Sequence, residues 1–493
     1  MTPTPAVPAR AGLREWLGLA VLALPTLLVA MDISVLHLAV PELTADLRPS
    51  ATELLWIVDA YGFLIAGFLI PMGVLGDRVG RRRLLLAGGA AFGAASALVA
   101  FAPTAESLIA GRALLGVAGA TLMPSTLALI TSLFADPQQR TLAVGVWVAS
   151  LSVGIVVGPI VGGALLEAFW WGSVFLLALP VMALLLALGP WLLPEARDPA
   201  PGRVDALSVG LALGAMLALA YGVKQLAVHG AGAAPLAVLA AAVALGAVFA
   251  RRQRRLEDPL VDLSLFRLPG FAVPLAANAL ALLAVVGVFL LVTQHLQLVL
   301  GLGPLEAGLW LLPYGVAVIA GSLVASPVSR RWSPPAALAG GLAIAAAGLA
   351  LLTRVEADSG VALVAWATGL LGLGAGPVLT LGTDMVVGAV APERAGAASA
   401  ISEAATELGG ALGVALLGSL AAAVYRAELG PDGPQTLGAA SEAASPAVGA
   451  ARAAFADGLA TAAGAGAVLV GATAAVSAVL LLPRSRRAAT RQA

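Results

Sequence analysis

Six ionisable side chains lie within long apolar runs of the chain: Asp32, Asp59, Arg112, Asp384, Glu403 and Glu407. A charge in lipid costs about 3 kcal/mol or more, so such residues are paired, face water, or mark a pathway. The chemistry open to them is proton and cation exchange. A carboxyl group withdrawn from water holds its proton more tightly, and an arriving cation loosens that proton again. Proton and cation can then take turns on one carboxylate, which is the least that antiport requires. Glu403 and Glu407 are four residues apart and share a helix face. For Asp59 and Glu403 exchange is the stronger reading. For Asp32 and Glu407 exchange and a structural role are balanced, while Asp384, close to a helix end, reads as a structural acid.

Composition says what kind of scaffold must position these groups. The 493 residues are 60% hydrophobic and 11% charged, against about 25% charged in ordinary globular domains. That excludes a soluble globular protein. Net charge is zero, so no basic surface suggests nucleic acid as a partner. Cysteine is absent, which removes disulfides, Cys-based metal sites and thiol nucleophiles. The three histidines, His37, His229 and His295, are scattered, so no metal centre is expected. The apolar runs carry no GxSxG, HExxH or GxGD pattern, and a membrane enzyme is therefore only a remote alternative.

Apolar runs long enough to span a bilayer fall near 16–40, 53–76, 84–103, 107–133, 141–166, 171–193 and 205–228, then near 232–250, 271–300, 307–329, 335–353, 361–388, 396–425 and 458–483. The expectation is an all-α integral membrane protein with 14 transmembrane helices, its first span uncleaved. Arginines gather in alternate connections, at 10 and 14, 78–83, 140, 197 and 203, 251–267, 330–331, 394 and 484–491, which places both termini in the cytoplasm. Lys224 falls near an outer helix end. The sequence Gly73-Val-Leu-Gly-Asp-Arg-Val-Gly-Arg-Arg-Arg83 is echoed after span ten by Gly321-Ser-Leu-Val-Ala-Ser-Pro-Val-Ser-Arg-Arg331. A repeat at spans two and ten makes residues 1–194 one six-helix bundle and 267–484 a second, with outer loop 426–456. Spans seven and eight, in 195–266, are then an insertion, and 485–493 a cytoplasmic tail.

Two motifs concern movement rather than binding. In span five, Gly154, Gly158 and Gly162 form a four-residue stripe beside Pro159 and Gly163, a close-packing face with a weak point. In the loop after span two, Gly73 and Gly80 permit packing and turning. Asp77 can cap a helix or pair with Arg78, Arg81 or Arg82, which suits a charge latch at the cytoplasmic edge.

Together these motifs resemble the major facilitator superfamily. The span-five spacing is similar to the antiporter motif of its drug exporters, and GxLxDRxGRR to its signature loop. Met31–Pro41 resembles the first-span motif of the fourteen-span drug:proton antiporters, with Ser34 and His37 in place of Thr and Asn. Trp56-Ile57-Val58-Asp59-Ala60-Tyr61 resembles the second span of their quaternary-ammonium exporters, Leu108–Ala120 with Arg112 and Gly116 the fourth-span RxxxG, and Glu403–Leu420 the thirteenth span. Around span six only Trp171-Gly172-Ser173 and Ala178-Leu179-Pro180 remain of the usual signature.

The resemblance implies two six-helix bundles with a substrate path between them, in the bacterial inner membrane. It implies proton-coupled efflux of lipophilic, cationic drugs by alternating access, with no cofactor beyond the proton gradient and with a monomer as the working unit. Asp32, Asp59, Glu403 and Glu407 would handle protons or cations, and Arg112 would tune them. Trp56, Tyr61, Phe63 and Trp147 could stack on flat cations, although lipid-facing or interfacial packing is the stronger reading of any one of them, and the polar neighbours His37, Asn278 and Gln294 could equally be interhelical hydrogen bonds. A dedicated exporter of one endogenous metabolite is the alternative.

Overall fold

The computed structural model describes residues 10–197, 205–230, 232–257, 259–390, 395–430, 433–434, 436–442 and 448–492. Arg203 and Arg394, on which the orientation argument drew, lie outside them, as do parts of loop 426–456; nothing is described of the side chains of the tail arginines.

Fourteen helices among the described residues are long and apolar enough to cross a membrane. They are α1 (Leu13–Leu47), α2 (Ala51–Val79), α3 (Arg81–Ala100), α4 (Ala105–Leu133), α5 (Pro137–Ala168), α6 (Ser173–Leu192), α7 (Ala206–His229) and α8 (Ala233–Gln253). The others are α9 (Pro269–Val299), α10 (Pro304–Trp310 and Leu312–Trp332), α11 (Pro334–Leu352), α12 (Val361–Gly388), α13 (Ala395–Leu429) and α14 (Val448–Gln492). Several run past their apolar cores: α14 takes in the end of loop 426–456, and a short helix, Leu437–Glu442, occupies its middle.

Local chemistry sets the helix starts. Ser50 accepts from the Glu53 amide while Glu53 returns a bond to the Ser50 amide, a reciprocal cap on α2. Asp136 caps α5, whose first residue is Pro137. Between α2 and α3 there is only Gly80, at φ +110°. Turns of π-helix interrupt α9 at His295–Val299 and α13 at Val414–Gly418, local departures that often accompany function.

Contacts sort the helices into two groups. In the first six, α1 packs on α5 and α6, α2 on α4, and α3 on α4 and α6. In the last six, α9 packs on α12, α13 and α14, and α12 on α10 and α11. The groups meet where α2 lies on α13 and α5 on α10. Helix α7 pairs with α8 and also packs against α2 and α13. Its start is clasped to the end of α8, because Arg252 donates to both Asp205 oxygens at 2.7 and 3.0 Å. These bonds and one from Ser208 hold the Asp205 carboxyl down from 3.8 to about 2. A depressed acid stabilises above its unfolded value and loses that contribution only as pH falls from 3.8 towards 2, so the clasp persists at neutral pH.

Candidate functional site

The site grows from a close approach of α1, α2 and α4. Gly116 lets α4 lie on the α2 backbone: a Cβ there would sit 2.6 Å from the Tyr61 carbonyl oxygen. One turn earlier, Arg112 is 1% exposed, and its Nη1 donates to Asp32 Oδ2 at 2.6 Å. Its Nε donates to the Ile57 carbonyl at 3.2 Å, and the guanidinium lies 4.6 Å from the Tyr61 ring centroid. Asp32 and Arg112 are therefore partners. Asp32 also borders a small space lined by Phe92 and Ser96 of α3 and Val174, Phe175 and Ala178 of α6.

A second pair lies where α2 meets α7. Lys224 Nζ is 2.7 Å from Asp59 Oδ2, and both side chains are 0% exposed. The ammonium sits 4.0 Å from the centroid of the Trp56 ring. Sequence reasoning missed Lys224, since a lysine near a helix end reads as an interfacial anchor. The available signal was its being the single lysine in 493 residues.

The α13 acids differ from these. Glu403 and Glu407 are half-buried, and among the described residues neither has a hydrogen-bond or ion-pair partner. The Tyr61 hydroxyl is buried without a hydrogen-bond partner among the described residues, and the next residue, Gly62, lies against Ala411 of α13. Asp384 is exposed and takes no part.

The remaining candidates divide. Trp56 borders the Asp59–Lys224 pair, and Phe63 is fully buried with Ala220, Ala411 and Ala415 where α2, α7 and α13 meet. His37 is buried 6.1 Å from the Phe289 ring, and neither of its nitrogens is hydrogen-bonded among the described residues. Trp147 instead packs within the first helix group, its indole donating to Thr126 Oγ1 at 3.1 Å. Asn278 is taken up by α12: in the amide orientation that satisfies both partners it donates to the Val378 carbonyl at 2.8 Å and accepts from the Thr383 hydroxyl. Gln294 is buried where α9 passes into its π-turn.

The charged loop after α2 engages its own helix group. Asp77 pairs with Arg81 one turn on, Arg78 is exposed, and Arg81 reaches the Pro124 carbonyl of α4 near Gly73. Arg82 and Arg83 each lie 3.7 Å from Glu195, and the Arg82 amide donates to the same carboxylate at 3.2 Å. Glu195, just past α6, had no motif to flag it. At Gly80 a Cβ would meet that carboxylate as well as a φ of +110°. Gly80→Ala is therefore expected to destabilise by about 1–3 kcal/mol, as strained backbone positions do, read as a lowered melting temperature in detergent. An unchanged melt would remove the strain argument.

Helix α5 is glycine-faced on two sides. Gly154, Gly158 and Gly162 lie against Leu27, Met31, Ser34 and Val35 of α1. Gly163 lies on Pro304 and Leu305 of α10, and Gly308 returns the contact on Pro159. Near the same end, Gln297 Nε2 of α9 donates to the Leu38 carbonyl of α1 at 3.0 Å. The two helix groups are thus joined at the end opposite the arginine-rich loop.

Residues 22–414 match the Major Facilitator Superfamily. The multidrug efflux pump LfrA of Mycolicibacterium smegmatis is 45% identical over 481 residues, covering 94% of this chain and 95% of that protein. The methyl viologen resistance protein SmvA of Salmonella typhimurium is 37% identical over 421 residues, covering 84% of each. Among solved structures, a bacterial homologue of the human lysosomal transporter Spinster, inward-facing and unoccupied, superposes with a TM-score of 0.70 over 96% of this chain and 98% of its own, at 16% identity. That last likeness is one of fold alone.

Proposed function

The chain belongs to the Major Facilitator Superfamily, and from that premise we propose that it exports lipophilic, cationic small molecules in exchange for protons. Efflux follows from relatives named for multidrug efflux and for methyl viologen resistance. Cation and proton exchange is carried by one observation: Asp32 and Asp59 have internal cations, whereas Glu403 and Glu407 on α13 have none among the described residues.

The cycle runs on those acids. With the arginine-rich end open to the cytoplasm, a cation is attracted to ionised Glu403 and Glu407 and to the aromatic faces nearby. The helix groups then rock about the α2–α13 and α5–α10 contacts, and the opposite end opens. Protons from outside neutralise the acids, the cation loses its partner and leaves, and return to the inner side releases the protons. Arg112 holds Asp32 as a neutral pair beside Tyr61, which leaves the exchange to the acids of α13. The arginine asymmetry of the loops supports a reading with both termini in the cytoplasm, in a bacterial inner membrane and with a monomer as the working unit.

Proteoliposomes with an imposed pH gradient test this. Ethidium is expected to dissipate the gradient in the native chain, and Glu403→Gln to reduce that flux at least about tenfold, about 1.4 kcal/mol in the barrier to exchange. A gradient that responds to no cation would sink the proposal and direct the search to a dedicated product exporter.

A further inference from the structure

Lys224 and Asp59 are more than a neutralised pair. A carboxylate on one side and an indole face on the other attract a cation by charge and by ring quadrupole together, the chemistry that selects lipophilic ammonium ions. Asp59 and Trp56 supply that arrangement, with Phe63 continuing the aromatic wall 6.4 Å from Trp56. Here it is filled by the chain's own ammonium, 2.7 Å from the carboxylate and 4.0 Å from the ring centroid.

Two observations separate this pair from a structural clasp. A buried ion pair retained for architecture has its remaining donors and acceptors satisfied. Arg112 meets that condition through Ile57, whereas Asp59 Oδ1 and Lys224 Nζ make no hydrogen bond among the described residues beyond their mutual contact. The pair also lies at the seam between the helix groups, about which the proposed export cycle rocks. Phe63 and Ala220 beside it pack on Ala411 and Ala415 of α13, so displacement of the last six helices relative to α2 uncovers the site.

We propose that Lys224 is a tethered counter-cation occupying a cation site formed by Asp59 and Trp56, and that a lipophilic cation enters this site only by displacing it. Lys224 is thereby a specificity-determining residue. A compact, strongly hydrated ion gains too little from the ring faces to replace an ammonium already in contact. A large, weakly hydrated cation gains more. The inference rests on the export reading above, and it gives α7 a part in selectivity beyond joining the two helix groups.

The test uses the full chain in detergent and tetraphenylphosphonium as probe. Lys224→Met is expected to bind it at least about tenfold more tightly, about 1.4 kcal/mol, and to bind tetramethylammonium, for which the native chain should show no binding. The gain should vanish in Lys224→Met/Asp59→Asn, and Lys224→Arg should stay close to native. A monodisperse Lys224→Met with native or weaker affinity, or a gain that survives loss of Asp59, overturns the proposal. A second measurement needs no variant. Lys224 is the single lysine, so saturating tetraphenylphosphonium should speed its acylation several-fold as the amine is displaced; an unchanged rate also overturns it. Native cation-driven proton flux alongside either negative result would sink only this inference, whereas absence of that flux would sink the export reading.

Discussion

Replacing Arg112 with methionine is expected to abolish export and to cost about 3 kcal/mol of stability, at the lower end for breaking a buried pair because Asp32 keeps some contact with water. Three things are lost together: the 2.6 Å ion pair, the donor to the Ile57 carbonyl, and the cation above the Tyr61 ring. The stranded Asp32 carboxylate accounts for most of the cost. Arg112→Met/Asp32→Asn removes both charges and is therefore expected to regain most of the stability without regaining transport. Melting temperature in detergent reads the first effect, with the single variant down by about 3 °C. Ethidium-driven proton flux in proteoliposomes reads the second. Should the double variant transport normally, the pair would be architectural and without a part in the transport cycle.

The span count and the α-helical class followed from apolar run length alone, because in lipid a backbone must satisfy its hydrogen bonds within each segment. Fourteen runs were expected, and among the described residues fourteen helices are long and apolar enough to cross a membrane. The candidate charges were visible for the same reason, since an ion in an apolar run has few bland explanations. Partnership was less accessible. Arg112 could be assigned to the acids as a group, through the resemblance, though not to Asp32 in particular. Lys224 could not, because its partner is decided by the lateral packing of α7 on α2, and nothing in the periodicity of an all-round apolar helix says which neighbour it faces. Glu195 escaped notice for a related reason: it lies in a connection, where one acid among arginines carries no pattern. Trp147 and Asn278 show the converse. Their side chains suit a substrate pocket, yet each is used by a neighbouring helix, Trp147 by Thr126 and Asn278 by Val378 and Thr383.

A bulky side chain at Gly163 is expected to hold the two helix groups apart where they now meet. A Cβ there would sit 2.6 Å from the Leu305 Cα and overlap the neighbouring backbone, which has no rotamer with which to retreat. The α1-facing stripe of Gly154, Gly158 and Gly162 serves cohesion within one group, whereas Gly163 faces α10 and so bears on the transition between states. Gly163→Leu should therefore prevent closure of the end where Gln297 bonds the Leu38 carbonyl, while leaving the fold of each group intact. Because the chain has no cysteine, a single cysteine at Leu38 reports on that end without background. Its labelling by a membrane-impermeant maleimide is expected to rise at least about tenfold in the Gly163→Leu background, corresponding to a shift of about 1.4 kcal/mol between states. Export should fall by a similar factor, since a carrier that cannot close one end cannot complete a cycle. Gly158→Leu makes the necessary comparison: it wedges α5 from α1 within one group, so it should lower melting temperature more and Leu38 labelling less. Equal labelling in both variants would mean that the two faces of α5 are not functionally distinct, and the division of cohesion from gating along this helix would have to be given up.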